Sequence, residues 1–211
     1  MSYDNDKKLN YDYYKKAIIE HGDSPEGVCW SSLPTQEKRF KILCGMIADK
    51  DKEHSILDYG CGTAALNDYI IKKKIAAKYF GCDIVEDSLK IAKDKYPKSS
   101  FMFPQELFDG KDVYDYAFIS GVFNYRISDN VAYYQEILLN LWQKVKIGIA
   151  FNMMSSYVDY EDSHLFYEKP ENVFAFAKTK LSPFVTIRND YEVNPGVIPF
   201  EFACYVYKEA Q

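Results

Sequence analysis

Between residues 55 and 153 the chain switches repeatedly between short apolar runs and stretches whose apolar residues return every three or four positions. Short apolar or alternating runs suit strands, and the longer spacing suits helices packed by one face. Ser55–Tyr59, centred on Ile56 and Leu57, predicts a first strand, and Ala64–Lys74 a helix with Leu66, Tyr69, Ile70 and Ile71 inward. Tyr79–Ile84 predicts a second strand, followed by a helix capped by Asp87 with Leu89, Ile91, Ala92 and Tyr96 as its apolar positions. Ser100–Phe103 and Tyr114–Ser120 predict two more strands. Ser128 or Asp129 caps a long helix through Val145, burying Ile137, Leu138, Leu141 and Trp142, and Ile147–Met153 is a fifth strand.

Strands and helices in alternation imply an α/β domain with a mostly parallel sheet and helices on both faces. The C-terminal part departs from this pattern. After a helix at Pro170–Lys180, two strand-like segments follow, Pro183–Tyr191 and Phe200–Tyr207, separated by a loop holding Asn194, Pro195 and Gly196. So short a connection demands an antiparallel hairpin, because a parallel return needs a crossover. Residues 1–50 predict a helical lid segment ahead of the 51–211 domain. It comprises a polar start, a helix over Tyr11–His21, a loop over Gly22–Leu33 and a helix over Thr35–Ala48 with Phe40, Leu43, Cys44 and Ile47 inward.

Ile56-Leu57-Asp58-Tyr59-Gly60-Cys61-Gly62-Thr63 joins the first strand to the next helix. Ligands of open α/β sheets sit beyond the carboxyl ends of the strands. Gly60 permits a tight turn there, and Gly62 lets the backbone approach a ligand with no Cβ between. Asp83 ends the second strand, where a carboxylate can accept two hydrogen bonds from ribose hydroxyls. A helix cap or a surface charge would explain either acid alone; two acids at consecutive strand ends argue for a site.

This segment resembles the first motif of class I S-adenosylmethionine (SAM)-dependent methyltransferases. The resemblance implies a Rossmann-like seven-stranded sheet of order 3-2-1-4-5-7-6, with strand 7 antiparallel. It also implies SAM as cofactor, S-adenosylhomocysteine as product and methyl transfer as the activity (EC 2.1.1.-). Asp58 would then help hold the methionine end of SAM over the backbone of Gly60, Cys61 and Gly62, with Asp83 and Ile84 at the ribose. Gln105, Glu106 and Leu107 fall where the family clasps adenine, although the usual Gly-Asp pair is missing. Ser120 and Phe123 fall where the end of the fourth strand lines the cofactor. Arg39 is a candidate partner for the SAM carboxylate, because its guanidinium offers a bidentate fork; a solvated helix charge is the alternative. Gly60-x-Gly62-x-x-Ala65 also satisfies a dinucleotide fingerprint. Asp58 would repel a pyrophosphate, however, and the terminal hairpin has no place in two mononucleotide-binding halves.

For the acceptor, the sequence offers mostly exclusions. The fourth strand carries no Pro-Pro-aromatic signature, no Pro-Cys pair occurs, and no acidic pair follows Ser120. These absences disfavour the usual nucleic-acid and protein-arginine chemistries and a bound Mg²⁺, leaving metal-free transfer to a small molecule. A base is sought in the Ser155–Lys169 connection, where His164 is the candidate and Asp159 or Asp162 would orient it. Asn124, Tyr125 and Arg126 follow the fourth strand and are candidates to face the acceptor, Arg126 suiting a phosphate or carboxylate. The flanking stretch from His21 to Pro25, with Trp30, Gln36, Arg39-Phe40, Phe151-Asn152 and the Leu165-Phe166-Tyr167 region, resembles bacterial methyltransferases often associated with surface-polysaccharide clusters. That resemblance implies O-methylation of a sugar or sugar-phosphate-like metabolite. The alternatives are a non-catalytic SAM-binding module or partner subunit and, further off, an NAD-dependent oxidoreductase.

Composition adds little. A net charge of −5, with no basic block longer than Lys72-Lys73-Lys74, argues against nucleic acid or an anionic membrane as partner. Five cysteines (Cys29, Cys44, Cys61, Cys82 and Cys204) without C-x-x-C spacing suit a reducing cytoplasm rather than a disulfide or zinc framework. The start of the chain lacks the apolar stretch of a signal peptide, and no apolar run reaches membrane-spanning length. A monomer or homodimer is expected. The aromatic share of 17%, with 19 Tyr and 14 Phe, suits a core plus a pocket for a part-polar ligand, or simply Tyr-rich strands.

Overall fold

The computed structural model describes residues 3–28, 30 and 32–211, so Met1, Ser2, Cys29 and Ser31 lie outside the described residues. Its strands are β1 (His54–Tyr59), β2 (Ala77–Cys82), β3 (Ser100–Met102), β4 (Tyr114–Ile119), β5 (Val145–Ser155), β6 (Tyr167–Glu168), β7 (Phe184–Arg188) and β8 (Glu201–Tyr207). They form one sheet in the order β3-β2-β1-β4-β5-β8-β7, with β6 paired to β5. All pairings from β3 to β5 are parallel, and β8 runs antiparallel to both β5 and β7. This is the expected order and hairpin with one addition. β5 continues to Ser155, and its last two residues pair with the two-residue strand β6.

Among the described residues, seven α-helices surround the sheet: α1 (Tyr3–His21), α2 (Leu33–Leu43), α3 (Ala65–Lys72), α4 (Glu86–Lys95), α5 (Pro104–Asp109), α6 (Asn130–Trp142) and α7 (Pro170–Lys180). Successive residues of each strand point to opposite faces, and this sorts the core into two halves. Ile56, Phe118, Ala150 and Tyr205 join Phe40, Leu66, Ile70 and Leu89 of α2, α3 and α4 on one face. Leu57, Ala117, Ile149 and Cys204 join Leu107, Leu138 and Val173 of α5, α6 and α7 on the other.

Several local expectations change. α1 begins at Tyr3 rather than Tyr11. The loop after it holds a short 3-10 turn at Glu26–Val28. Ile71 faces solvent, because α3 turns only its Leu66, Tyr69 and Ile70 edge to the sheet. Asp87 lies within the first turn of α4, whose N-cap is Val85. Asp129 does cap α6, its side chain accepting from the Ala132 N–H at 2.9 Å. Residues after β3 form the unforeseen α5, started by Pro104 at the first turn, where a missing N–H costs nothing.

Candidate functional site

β1, β2 and β4 end side by side, and their carboxyl ends open into a cavity of about 310 Å³. The turn after β1 is its floor. Gly60 and Gly62 sit at φ +80° and +52°, in the left-handed region that glycine enters without steric cost. The Gly60 and Cys61 N–H groups both donate to the Cys82 carbonyl, at 2.7 and 3.0 Å, which pins the turn to the end of β2. A Cβ on Gly60 would come within 2.2 Å of Val122 Cγ2, and one on Gly62 within 2.6 Å of Val28 Cγ1. The turn is therefore gripped from both sides, by the β4 end and by the segment after α1.

Two carboxylates flank this turn. Asp58, on β1, is buried and accepts from Tyr79 Oη at 2.6 Å. Burial pushes its carboxyl up to about 7, against the opposing pull of that hydroxyl. Asp83, just after β2, accepts from the Gly62 N–H and the Val85 N–H, each at 2.8 Å. Burial raises its carboxyl too, and the backbone N–H groups of Val85, Gly62 and Ile84 hold it back. A carboxylate has about four lone-pair sites, so the turn does not use up its capacity to accept from a ligand.

The roof comes from the N-terminal segment. Gly27, Val28 and Trp30 line the cavity with Asn10, Tyr13 and Tyr14 of α1. A Cβ on Gly121 (φ +77°) would meet the Trp30 ring at 2.5 Å, so the indole lies directly on the β4 turn. Lys95 Nζ bonds Asp23, Asp68 and the Thr63 carbonyl, tying the segment after α1 to the glycine turn.

Arg39 is neither a solvated charge nor a fully uncommitted fork. It is buried, its Nε donates to Glu201 Oε2 at 2.7 Å, and its Nη1 donates to the Thr35 carbonyl at 3.2 Å. Its guanidinium lies 4.1 Å from the Trp30 ring centroid. Glu201 Oε1 accepts from Tyr191 Oη and Asn152 Nδ2, and Asn152 Oδ1 accepts from the Gly121 N–H at 3.0 Å. One buried polar chain thus runs from α2 through β8 and β5 to the β4 turn, with Arg39 at the cavity wall.

Of the residues singled out from sequence, Arg39, Asp58, Gly60, Cys61, Gly62, Asp83, Ile84, Ser120, Asn124 and Tyr125 line this cavity. Others are placed elsewhere. Gln105 bonds Asp109, Glu106 accepts from the Phe103 N–H, and Leu107 is buried in the core, because these residues coil into α5. Pro104 is the part of that segment that reaches the cavity. Phe123 packs into the core against Tyr134 and Phe151, while its neighbour Val122 faces the glycine turn.

His164 and Asp159 are exposed and do not line the cavity. The His164 N–H donates to Asp162 Oδ1, and its carbonyl accepts from the Arg126 N–H. That turns the imidazole to solvent and brings Leu165 to the wall through its bridge with Tyr125. Arg126 is drawn the same way, its Nε donating to the Leu165 carbonyl at 2.9 Å with Glu161 3.9 Å from its Nη2.

Tyr79, Glu201 and Asn10 escaped the sequence reading as site residues, and Asn152 entered it only within the flanking Phe151-Asn152 resemblance. Asn152 and Glu201 carry a faint signal, since each interrupts an otherwise apolar strand and a buried polar group needs a partner. Asn10 carries none. Among the described residues, no group of three or more His, Cys, Asp or Glu is placed to hold a metal ion, and no helix is long and apolar enough to cross a membrane.

No protein-family model matches the chain. It is 27% identical over 163 residues to the Mycobacterium tuberculosis protein named "Putative methyltransferase Rv1506c", covering 73% of this chain and 93% of that one. Among solved structures it resembles magnesium protoporphyrin IX methyltransferase from Synechocystis PCC 6803 with bound SAM, at a TM-score of 0.68 and 13% identity over 97% of both chains. It also resembles a DhpI–SAH complex (TM-score 0.63, 13% identity, 99% of both chains). A third likeness is to the plantazolicin methyltransferase BpumL with SAH (TM-score 0.62, 14% identity, 96% of this chain and 98% of that one). In sheet order, closing hairpin and glycine turn, the chain has the fold of the class I methyltransferases that it resembles.

Proposed function

We propose that this protein is a SAM-dependent methyltransferase that methylates an oxygen of a small polar acceptor and releases S-adenosylhomocysteine. One observation carries the reading: a single cavity runs from the glycine turn and its two carboxylates to a polar recess under α1. A cofactor and a second molecule can therefore meet end to end, which a storage module would not need.

The residues present suit SAM. Gly60 and Gly62 lie on the cavity floor in a turn too tightly packed against Val122 and Val28 for a Cβ, and the Ser120 hydroxyl is buried at the cavity wall without a hydrogen-bond partner. Asp83 would accept from the ribose hydroxyls with its remaining lone pairs, and Ile84 and Pro104 offer apolar contact to the base. Asp58 would face the methionine ammonium, and Arg39, held by Glu201 and Trp30, its carboxylate. When bound, SAM supplies an electrophilic methyl on a sulfonium. The protein's own task is then alignment and exclusion of water, tasks suited to the Trp30 roof and the α1 wall. Tyr125, a sequence candidate to face the acceptor, lines the cavity and would contact that acceptor; His164 and Asp159 have no part in this scheme. A reducing cytoplasmic setting is supported by four free and buried thiols, Cys44, Cys61, Cys82 and Cys204.

The test is incubation with methyl-labelled SAM and a panel of hydroxylated metabolites, following S-adenosylhomocysteine release. Calorimetric binding of NAD but not SAM would overturn the cofactor assignment, and tight SAM binding with no turnover on any acceptor would favour a binding module.

A further inference from the structure

The end of the cavity away from Asp83 is built where α1 crosses the loop between β4 and α6. Tyr13 stacks on Tyr125 with ring centroids 4.3 Å apart, and Tyr14 Oη donates to the Gly121 carbonyl at 3.3 Å. Asn10 Nδ2 donates to Tyr133 Oη at 3.4 Å. These contacts fix an aromatic wall, and two asparagines of that wall, Asn10 and Asn124, keep an amide oxygen without a partner. Asn10 Oδ1 and Asn124 Oδ1 are both buried without a hydrogen-bond partner, and Asn10 is only 4% exposed. A buried carbonyl oxygen left unpaired loses its hydration with nothing in return, so such atoms are rarely retained unless something else satisfies them.

Charge is missing from this end among the described residues. The charged side chains on the cavity wall are Arg39, Asp58 and Asp83. Asp58 and Asp83 flank the glycine turn, and Arg39 is paired with Glu201. Arg126, a cation that would suit a phosphate, is held outside by Leu165 and Glu161. An anionic acceptor would thus lose its hydration with no cation to replace it. A ligand whose hydroxyls donate to two amide oxygens, and whose C–H face lies on Tyr13 and Tyr125, would satisfy every group there.

We infer that Asn10 and Asn124 are the recognition pair for the methyl acceptor, and that this acceptor is an uncharged polyol rather than a phosphorylated or carboxylated one. The inference rests on the methyltransferase reading of the same cavity and narrows it to the neutral member of the sugar and sugar-phosphate choice. Asn10 and Asn124 set specificity by orienting a hydroxyl toward the β4 turn, and α1 becomes part of the substrate site rather than a cover.

The experiment uses the full chain saturated with S-adenosylhomocysteine, with cofactor binding first verified by calorimetry. Saturation-transfer NMR then compares methyl α-glucopyranoside and myo-inositol with glucose 6-phosphate and glucuronate. The neutral probes should bind, and the anionic ones at least tenfold more weakly. Asn10→Leu and Asn124→Leu should each weaken the neutral probes at least fivefold while leaving S-adenosylhomocysteine affinity within twofold. Asn124→Leu lies in a loop and serves if the helix variant fails to fold. Anionic probes binding as well as neutral ones, neutral binding unchanged in Asn124→Leu, or no neutral probe binding to the loaded protein would each overturn the proposal. Failure of S-adenosylhomocysteine itself to bind would instead remove the methyltransferase reading beneath it, and the proposal with it.

Discussion

Asp83 accepts the Gly62 N–H at 2.8 Å, so the acid that ends β2 is fastened to the glycine turn that follows β1. One carboxylate thereby shapes the floor of the cavity and keeps lone pairs for whatever lies on it.

Asp83→Ala should weaken SAM binding by about 10- to 100-fold, the scale of losing hydrogen bonds to a charged group. Titration calorimetry reads this directly. Unchanged affinity would mean that the carboxylate serves the turn alone.

Asp58 predicts a pH dependence. Its carboxyl titrates near 3.8 when unperturbed and near 7 in the fold, where burial outweighs the Tyr79 bond. Between those values the folded protein holds a proton that the unfolded chain has released, so stability falls as pH rises through this window and levels off above it. Denaturant melts of the ligand-free protein from about pH 4 to 8 should show this component, and Asp58→Asn should abolish it. Tyr79→Phe removes a bond that favours the ionised form and should move the upper limit higher. If SAM brings an ammonium to Asp58, its affinity should rise as pH increases through about 7 in the native protein and stay flat in Asp58→Asn.

Arg39→Met leaves Glu201 buried without its cation. A loss of about 3–5 kcal/mol is expected, and it should be smaller at about pH 5 than at about pH 8, where Glu201 would have to stay ionised. Burial already raises the Glu201 carboxyl with Arg39 present, so the variant should raise it further. Equal losses at both pH values would argue against the buried pair.

Gly121→Ala should cost about 1–2 kcal/mol for the left-handed backbone alone, and more because its methyl meets Trp30. Removing the indole in a Trp30→Ala background should recover the second part. Urea melts of the two single variants and the double should therefore be non-additive, with a coupling of about 0.5–3 kcal/mol. Additive losses would mean that Trp30 does not rest on the turn in solution.

The sequence by itself settled the features that local physics dictates. Strand and helix periods in alternation required a parallel sheet, and the short Asn194–Gly196 connection required the antiparallel β8. Gly60 and Gly62 marked the left-handed turn because few other residues fit one, and Asp58 and Asp83 followed from the ends of two strands. Neighbours far apart in the chain lie beyond such rules. Arg39 and Glu201 are 162 residues apart, and which helix face or loop side turns inward was decided when those surfaces packed. The same holds for His164. The sequence could bring its loop to the carboxyl edge of the sheet, but a backbone bridge one residue away gave the wall to Leu165 and the imidazole to solvent. Asn10 reached the cavity because α1 lies across the β4 turn, a docking written in tertiary contacts rather than in any spacing along the chain.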